Sequence, residues 1–240
     1  MKKLLCLLFV ATACGGGGNN DGMDGNPGGE AVPMMVTISG TASTRGLGGA
    51  SPAQGVTIAA YATSDEATPL AMATTDAAGA FTLTITTTGS AINGYLEAKK
   101  SGLITSYLYP PTPITGNLAM VPMNMVQANL WDTLSTFAMG NQMPQNGLVA
   151  MIVVGGTEVT SPPVAGATIT TSPASNPYRY NAANGLPDEV PTSTAADGIG
   201  YAFNAPVGNM TVTASKSGST FKTTPIKVRA MTLTQTLVIQ

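Results

Sequence analysis

The chain has 240 residues, of which 43% are hydrophobic and only 9% are charged, and its formal net charge is −2. Its lysines and arginines form no basic run, which argues against a nucleic-acid partner. Histidine is absent, so the side chain that most often serves as a general base or as an imidazole metal ligand is missing. The sequence therefore predicts a protein that is not an enzyme and that uses no cofactor and no metal ion.

The N-terminal segment has the pattern of a bacterial export signal. A positive start and an apolar run over 4–10 are followed by small residues and then by Cys14. The apolar run is shorter than the roughly 20 residues that span a bilayer, so residues 1–13 are interpreted as a cleaved signal peptide. Small residues directly before a cysteine resemble the lipobox of bacterial lipoproteins, although Ala11 stands where that motif usually has leucine. The resemblance implies that Cys14 is lipidated and that this lipid anchors the protein in the membrane.

The residues after Cys14 are expected to act as a spacer. Residues 14–33 are rich in Gly and Asn and show no apolar period, which is typical of a flexible tether. Gly15 stands directly after Cys14, where an aspartate would be associated with retention in the inner membrane. By analogy with lipoprotein sorting, we expect an exported protein that is lipid-anchored in the bacterial cell envelope, at the outer membrane.

From residue 34 onward, apolar and polar residues alternate with period two, as in Val36-Thr37-Ile38-Ser39. Such alternation predicts half-buried strands. In the first half we expect strands near 35–42, 55–61, 70–75, 80–87, 92–100, 103–109 and 116–125. In the second half we expect them near 148–154, 166–171, 200–204, 210–215, 221–228 and 231–239. Short strands with frequent turn signals favour β-sandwiches.

The two halves repeat motifs in the same order, which indicates a tandem duplication of a domain. We place one β-sandwich domain at 34–125 and a second at 147–240. Between them, Val126, Leu130, Leu134 and Phe137 recur at helical spacing before Gly140. Residues 126–146 are therefore interpreted as a linker that contains a short amphipathic helix.

The ordered motifs resemble those of carboxypeptidase regulatory-like domains, which are also called transthyretin-like. In this sequence the motifs are Ser39-Gly40-Thr41, the segment 52–58, the segment 75–81 and Lys100-Ser101-Gly102-Leu103. A weaker copy of the pattern covers 147–240. The resemblance implies an all-β chain of two Greek-key β-sandwich domains, transthyretin/Ig-like in type. Such domains are accessory modules, so scaffolding, adhesion or ligand binding is expected instead of peptidase activity.

An insertion in the second half, residues 176–191, is the leading candidate for recognition. It combines aromatic and charged side chains, which suit the binding of a glycan or an envelope protein on a loop. The candidate ligand-binding residues are Tyr178, Arg179, Tyr180, Asp188 and Glu189. The alternative is a mobile loop without a ligand. A second aromatic segment, 107–113, is expected to form the rigid, proline-blocked edge of a sandwich; the alternative is that it docks a partner.

Together these features predict a non-enzymatic lipoprotein of the cell envelope with structural or adhesion modules. The alternative is a surface protein that binds a carbohydrate or a protein ligand through the loops at one end of a sandwich.

Overall fold

The computed structural model describes residues 31–46, 49–157 and 160–240. The predicted signal peptide, Cys14 and most of the predicted tether lie outside these residues. Strands make up 51% of the structure and helix 5%, so the predicted all-β sandwich fold is confirmed. Within the described ranges, the structure contains no helix with the length and apolar character needed to cross a membrane.

Within the described residues, eight strands come from the first half of the chain and eight from the second. The first eight are β1 (Met35–Gly46), β2 (Gly49–Pro52), β3 (Thr57–Ala62), β4 (Ala71–Thr74), β5 (Ala80–Thr86), β6 (Gly94–Lys99), β7 (Ser106–Tyr109) and β8 (Leu118–Val126). The other eight are β9 (Gly147–Val153), β10 (Thr168–Ser172), β11 (Tyr178–Asn181), β12 (Pro187–Asp188), β13 (Ile199–Ala205), β14 (Gly208–Ser215), β15 (Thr224–Val228) and β16 (Leu233–Val238).

The period-two pattern forms these strands as expected, and β5 shows it most plainly. Phe81, Leu83 and Ile85 are buried in the first half's core, while the threonines between them are exposed. Threonine suits the outer face because its branched Cβ fits the pleat of a sheet. Hydrophobic burial on one face therefore fixes the register of the strand.

The strands form one long sheet and two shorter sheets that cover it. The central sheet has nine strands in the order β12-β11-β13-β9-β16-β7-β6-β3-β4. The first cover sheet has β1 paired with β2 and β5 on one side and with β8, in parallel, on the other. The second cover sheet has the order β10-β14-β15.

The two cover sheets lie on opposite faces of the central sheet. In β6, Leu96 and Ala98 pack into the core beneath the first cover sheet, whereas Tyr95 packs into the core beneath the second. Successive side chains of a strand point to opposite faces, so the two cores lie on opposite sides of the same sheet. Each half keeps its own main core, although one sheet runs through both.

The strand that joins the halves is β16, at the C-terminal end of the sequence. It pairs in parallel with β7 of the first half and with β9 of the second. Thr234, Gln235 and Thr236 in its middle are buried. The halves are therefore connected by a hydrogen-bonded ladder as well as by the linker, a connection that the sequence pattern did not predict.

This pairing corrects the prediction that 107–113 forms the edge of a sandwich. The strand β7 lies inside the central sheet, between β6 and β16. Pro110 and Pro111 follow the end of the strand and so leave its sides free to pair. The partner strand comes from more than a hundred residues further along the chain, and no local pattern announces it.

The linker contains a helix that covers part of the sheet, as predicted, but this helix is shorter than the predicted one. A 3-10 turn at Ala128–Leu130 leads into α1, Trp131–Phe137. Val126 belongs to β8, so the helix begins later than its apolar spacing suggested. Trp131 packs with Ile104, Val126 and Leu233, and so covers the face of the central sheet that the second cover sheet leaves open.

The insertion at 176–191, predicted as a loop, contains the short antiparallel pair β11 and β12 at one edge of the central sheet. The loop prediction is therefore wrong for these strands. Their sequence, in which polar residues and prolines interrupt any alternation, gave no strand signal.

Candidate functional site at the junction of the two halves

The two candidate tyrosines of β11 point inward and bind the free edge of β10. The Tyr180 hydroxyl accepts a hydrogen bond from the backbone N–H of Ile169 at 3.0 Å. The Tyr178 hydroxyl accepts one from the N–H of Thr171, also at 3.0 Å. Ile169 and Thr171 are two residues apart, so these N–H groups lie on the side of β10 that faces away from β14. The two phenols thus tie the second cover sheet to the central sheet.

Arg179 is also occupied by protein contacts. Its Nε donates to the carbonyl of Ala138 at 2.6 Å, and its Nη2 donates to the carbonyl of Met139 at 2.8 Å. These carbonyls follow the last turn of α1, where backbone acceptors lack helical partners and a cation is favourable. Arg179 therefore fastens the C-terminal end of α1 to the central sheet.

The two candidate carboxylates lie in or directly after β12. Asp188 is partly buried, and its Oδ1 accepts the N–H of Val190 at 2.9 Å, while Glu189 is exposed. The structure therefore gathers the five candidate residues on one hairpin, with the polar atoms of Tyr178, Arg179 and Tyr180 bound to the protein. Ligand binding by this hairpin stays a prediction.

A different cluster, here called the junction cluster, brings together Tyr61, Tyr95, Tyr107 and Tyr109 of the first half with Arg229 of the second. The ring of Tyr95 stacks on Tyr109 with centroids 5.0 Å apart and on Tyr61 at 5.5 Å. The Cζ of Arg229 lies 4.0 Å from the ring centroid of Tyr107 and 5.0 Å from that of Tyr95. Such contacts with a guanidinium are attractive because the ring face carries partial negative charge.

The guanidinium of Arg229 also makes directed bonds across the junction. Nη1 donates to the hydroxyl of Tyr109 and Nη2 donates to the hydroxyl of Tyr95, both at 3.1 Å. Nη2 further donates to Oε2 of Glu66 at 3.1 Å, and the same oxygen accepts from Nζ of Lys227 at 2.8 Å. One carboxylate of the first half thus pairs with two cations of the second.

The electrostatics of the cluster favour a structural role for these groups. The hydrogen bond from Lys227 lowers the pKa of Glu66, and although partial burial opposes this, the charge of Arg229 adds to it. Burial raises the pKa of Tyr95 to about 12 and also raises the pKa of Tyr107. At neutral pH the phenols stay protonated and the carboxylate stays ionised, so the cluster holds a satisfied ion pair and no activated nucleophile.

A buried pair of amides crosses the same junction. Nδ2 of Asn124 donates to Oε1 of Gln235 at 3.1 Å, and Nε2 of Gln235 donates to the carbonyl oxygen of Asn124 at 2.9 Å. Arg45 donates from Nε to Oδ1 of Asn124 at 2.9 Å. Both amides are buried, so their mutual bonds offset the cost of removing them from water. They connect β8 of the first cover sheet to β16.

Sequence reasoning missed the junction cluster because its members are far apart in the chain. One signal was available. On β6 and β7, the tyrosines alternate with Leu96 and Leu108. If the leucines face the first half's core, the tyrosines must face away from it. Three aromatic rings on the face away from this core indicate that another part of the protein covers that face.

The remaining surface offers little chemistry among the described residues. In those ranges no group of three Asp, Glu or Cys side chains lies close enough to hold a metal ion. A shallow cleft of about 370 Å³ lies at one end of the first half, and Gln54, Lys100, Gln127 and Asn129 are among its lining residues. The described residues that line this cleft include neither a carboxylate nor an aromatic ring.

No protein-family model and no curated protein sequence matches the chain. Solved structures give weak matches. The TIE protein of Bacillus anthracis is 12% identical with a TM-score of 0.27, over 85% of this chain and 34% of that one. The shaft pilin SpaA of Lactobacillus rhamnosus GG, as its D295N mutant, is 14% identical with a TM-score of 0.28, over 85% and 96%.

The minor pilin GBS52 of Streptococcus agalactiae is 12% identical with a TM-score of 0.28, over 85% of this chain and 96% of that one. The chain spans only about a third of the length of the TIE protein. These scores do not establish a shared function.

Proposed function

We propose that this chain is a non-enzymatic lipoprotein of the bacterial cell envelope, anchored through Cys14, and that its two sandwich halves form one rigid structural or adhesion module. The observation that carries the structural part is the course of β16, which pairs with β7 and β9 at once. A module whose halves share a hydrogen-bonded sheet resists bending between them, because bending would break a buried ladder.

The side chains at the junction support the same function. Arg229, Glu66 and the amides of Asn124 and Gln235 bind across it, so they strengthen the joint between the halves. Tyr178, Arg179 and Tyr180 of β11 likewise hold elements together, the tyrosines by binding β10 and the arginine by binding the end of α1. This use of polar groups suits a scaffold more than a site that must release them to a ligand.

The anchor is supported by the sequence alone, through the small residues before Cys14 and the Gly- and Asn-rich segment after it. Metabolic labelling with a palmitate analogue, followed by membrane fractionation, tests it. We expect the wild type to be labelled and to sediment with membranes, and Cys14→Ser to lose the label and become soluble.

Cys6 provides a matched control, because it lies within the apolar run and not after the small residues. We expect Cys6→Ser to be labelled and anchored like the wild type. Full labelling and membrane association of Cys14→Ser would overturn the proposed anchor.

A further inference from the structure

The edges of the sheets differ sharply in how they are protected against pairing with another chain. Proteins commonly blunt exposed edges with proline, with charge, with short strands or with a covering element. Among the described strands, β2 and β4 have four residues each and β12 has two. The strand β15 carries Pro225, and β10 is covered by the tyrosine hydroxyls of β11.

The other edge of the first cover sheet, β8, is protected as well. It contains Pro122, and Met120 has a positive φ of 57° that interrupts the extended backbone. The carbonyl of Asn124 is bound by the side chain of Gln235. Little of this edge is free to pair.

The strand β5 lacks the protections by proline, charge and short length, and β4 of the central sheet packs near it without pairing to it. It runs for seven residues, Ala-Phe-Thr-Leu-Thr-Ile-Thr, with neither proline nor charge. Among the described strands it pairs only with β1, on one side. Thr82, Thr84 and Thr86 are exposed, and no described residue binds their backbone groups from the open side.

The hydrogen-bond pattern shows which backbone groups face outward. The N–H of Thr87 donates to the carbonyl oxygen of Met34 at 2.9 Å, and the N–H of Ala42 donates to the carbonyl oxygen of Gly79 at 2.7 Å. Hydrogen-bonded residue pairs alternate with non-bonded pairs along an antiparallel ladder. Leu83, and the residues two positions away from it on either side, therefore direct their N–H and carbonyl groups toward β1. Thr82, Thr84 and Thr86 therefore direct their N–H and carbonyl groups away from the sheet.

We propose that β5 pairs antiparallel with β5 of a second copy of this chain, forming a two-fold dimer in which the two first cover sheets become continuous. A two-fold axis at Thr84 places Thr84 opposite its own copy and Thr82 opposite Thr86. This register forms about six main-chain hydrogen bonds, two for each of the three outward-facing pairs. The interface uses the same strand from both chains, as a two-fold interface requires.

The chemistry of the strand favours a second copy as its partner. Self-pairing of a charged strand would set like charges opposite each other, which destabilises a sheet, but β5 has no charge. Its outer face would form threonine pairs, which are favourable across strands. On the inner face, Leu83 would lie opposite Ile85 and extend the apolar core. Another copy matches this edge in length, alternation and neutrality.

Sedimentation velocity of the full chain carrying Cys6→Ser and Cys14→Ser tests the dimer without any contribution from the proposed lipid anchor. We expect a concentration-dependent equilibrium between monomer and dimer. Thr84→Lys should raise the dissociation constant about tenfold or more, because it sets two lysines opposite each other at the axis. Thr84→Pro, which removes an outward N–H, should abolish the dimer.

Thr170→Lys is the matched control, because Thr170 is exposed on β10, whose edge the tyrosines already occupy. We expect this variant to dimerise like the parent chain. Circular dichroism and thermal melting check that each variant is folded. If Thr84→Pro does not fold, the comparison of Thr84→Lys with Thr170→Lys decides the question.

Cysteine cross-linking in the same background tests the register. Thr84→Cys should form a covalent dimer on mild oxidation, since Cα atoms of a bonded pair lie about 5.5 Å apart, within disulfide range. Thr82→Cys alone should not, because its copy lies roughly 13 Å away along the strands. A mixture of Thr82→Cys and Thr86→Cys should cross-link. A chain that stays monomeric at every concentration, an unchanged dimer in Thr84→Lys, or equal cross-linking at positions 82 and 84 would overturn the proposal.

Discussion

The guanidinium of Arg229 lies 4.0 Å above the ring of Tyr107, and this contact joins the end of the second half to a strand of the first. The same guanidinium binds the hydroxyls of Tyr95 and Tyr109 and the carboxylate of Glu66. Arg229 therefore combines stacking with directed hydrogen bonds, and lysine would reproduce only part of this combination.

Replacing Arg229 should weaken the joint between the halves. We expect Arg229→Lys to lower the free energy of unfolding by about 1 kcal/mol, and Arg229→Met to lower it by about 2 kcal/mol because Glu66 and the tyrosine hydroxyls lose a donor. Urea denaturation measures both. Lys222→Met is the control, because Lys222 is exposed and its side chain makes no hydrogen bond or ion pair with a described residue; its stability should stay within about 0.5 kcal/mol of the wild type.

The ion pair of Glu66 should make stability depend on pH in the acid range. Its pKa is lower in the folded chain than the ordinary value of 4.5, so its contribution is fully present above that value. As the pH falls below about 4.5 and through the lowered folded pKa, the carboxylate is protonated and the contribution is lost. Melting temperatures measured across this range should decline less steeply for Glu66→Gln than for the wild type. Parallel declines would contradict this assignment.

The tyrosines of β11 should contribute to stability through their hydroxyl groups. Tyr178→Phe and Tyr180→Phe each leave an N–H of β10 without its acceptor, which should cost about 1–2 kcal/mol. Chemical denaturation checks the size of the effect. Tyr61→Phe is a suitable comparison, since Tyr61 stacks on Tyr95 and its hydroxyl makes no hydrogen bond to a described residue. A smaller loss in either β11 variant than in Tyr61→Phe would contradict this role.

The same hairpin offers a test of the ligand-binding hypothesis. Binding of the wild type to a glycan array, lost in Tyr178→Phe and Tyr180→Phe while both variants remain folded, would support recognition through these hydroxyls. If the wild type binds no glycan on the array, the function of Tyr178 and Tyr180 is structural and consists of the contacts described above. Glu189→Gln extends the test to the exposed carboxylate of the hairpin.

Strands that bury only one face could be predicted from the sequence. The joint between the two halves could not. In β5, each buried residue alternates with an exposed threonine, so a local pattern encodes the strand. In β11, Tyr180 and Asn181 are both buried, and the Tyr180 hydroxyl and Asn181 Nδ2 bind partners eleven and sixteen residues away in the sequence. Pairing of β16 with β7 depends on residues more than a hundred positions apart, which no period in a single sequence specifies.

Gly40 and Gly116 provide a contrast in backbone packing. A Cβ at Gly40 would lie 1.9 Å from the carbonyl oxygen of Val121, because β8 approaches β1 closely there, whereas a Cβ at Gly116 would meet no atom within 4 Å. We expect Gly40→Ala to destabilise the chain by about 3 kcal/mol or more, since backbone must move. Gly116→Ala should be neutral or stabilising by up to about 1 kcal/mol. Thermal melts of equal stability in both variants would contradict the close approach of β1 and β8.

Native-state hydrogen exchange, followed against increasing denaturant, tests most directly whether the halves form one body. If β16 binds them together, the slowest amides of β6 in the first half and of β14 in the second should open only in the same global unfolding event. They should then share one free energy and one dependence on denaturant. Two separate sets of values, with one half opening while the other stays protected, would contradict the single rigid module.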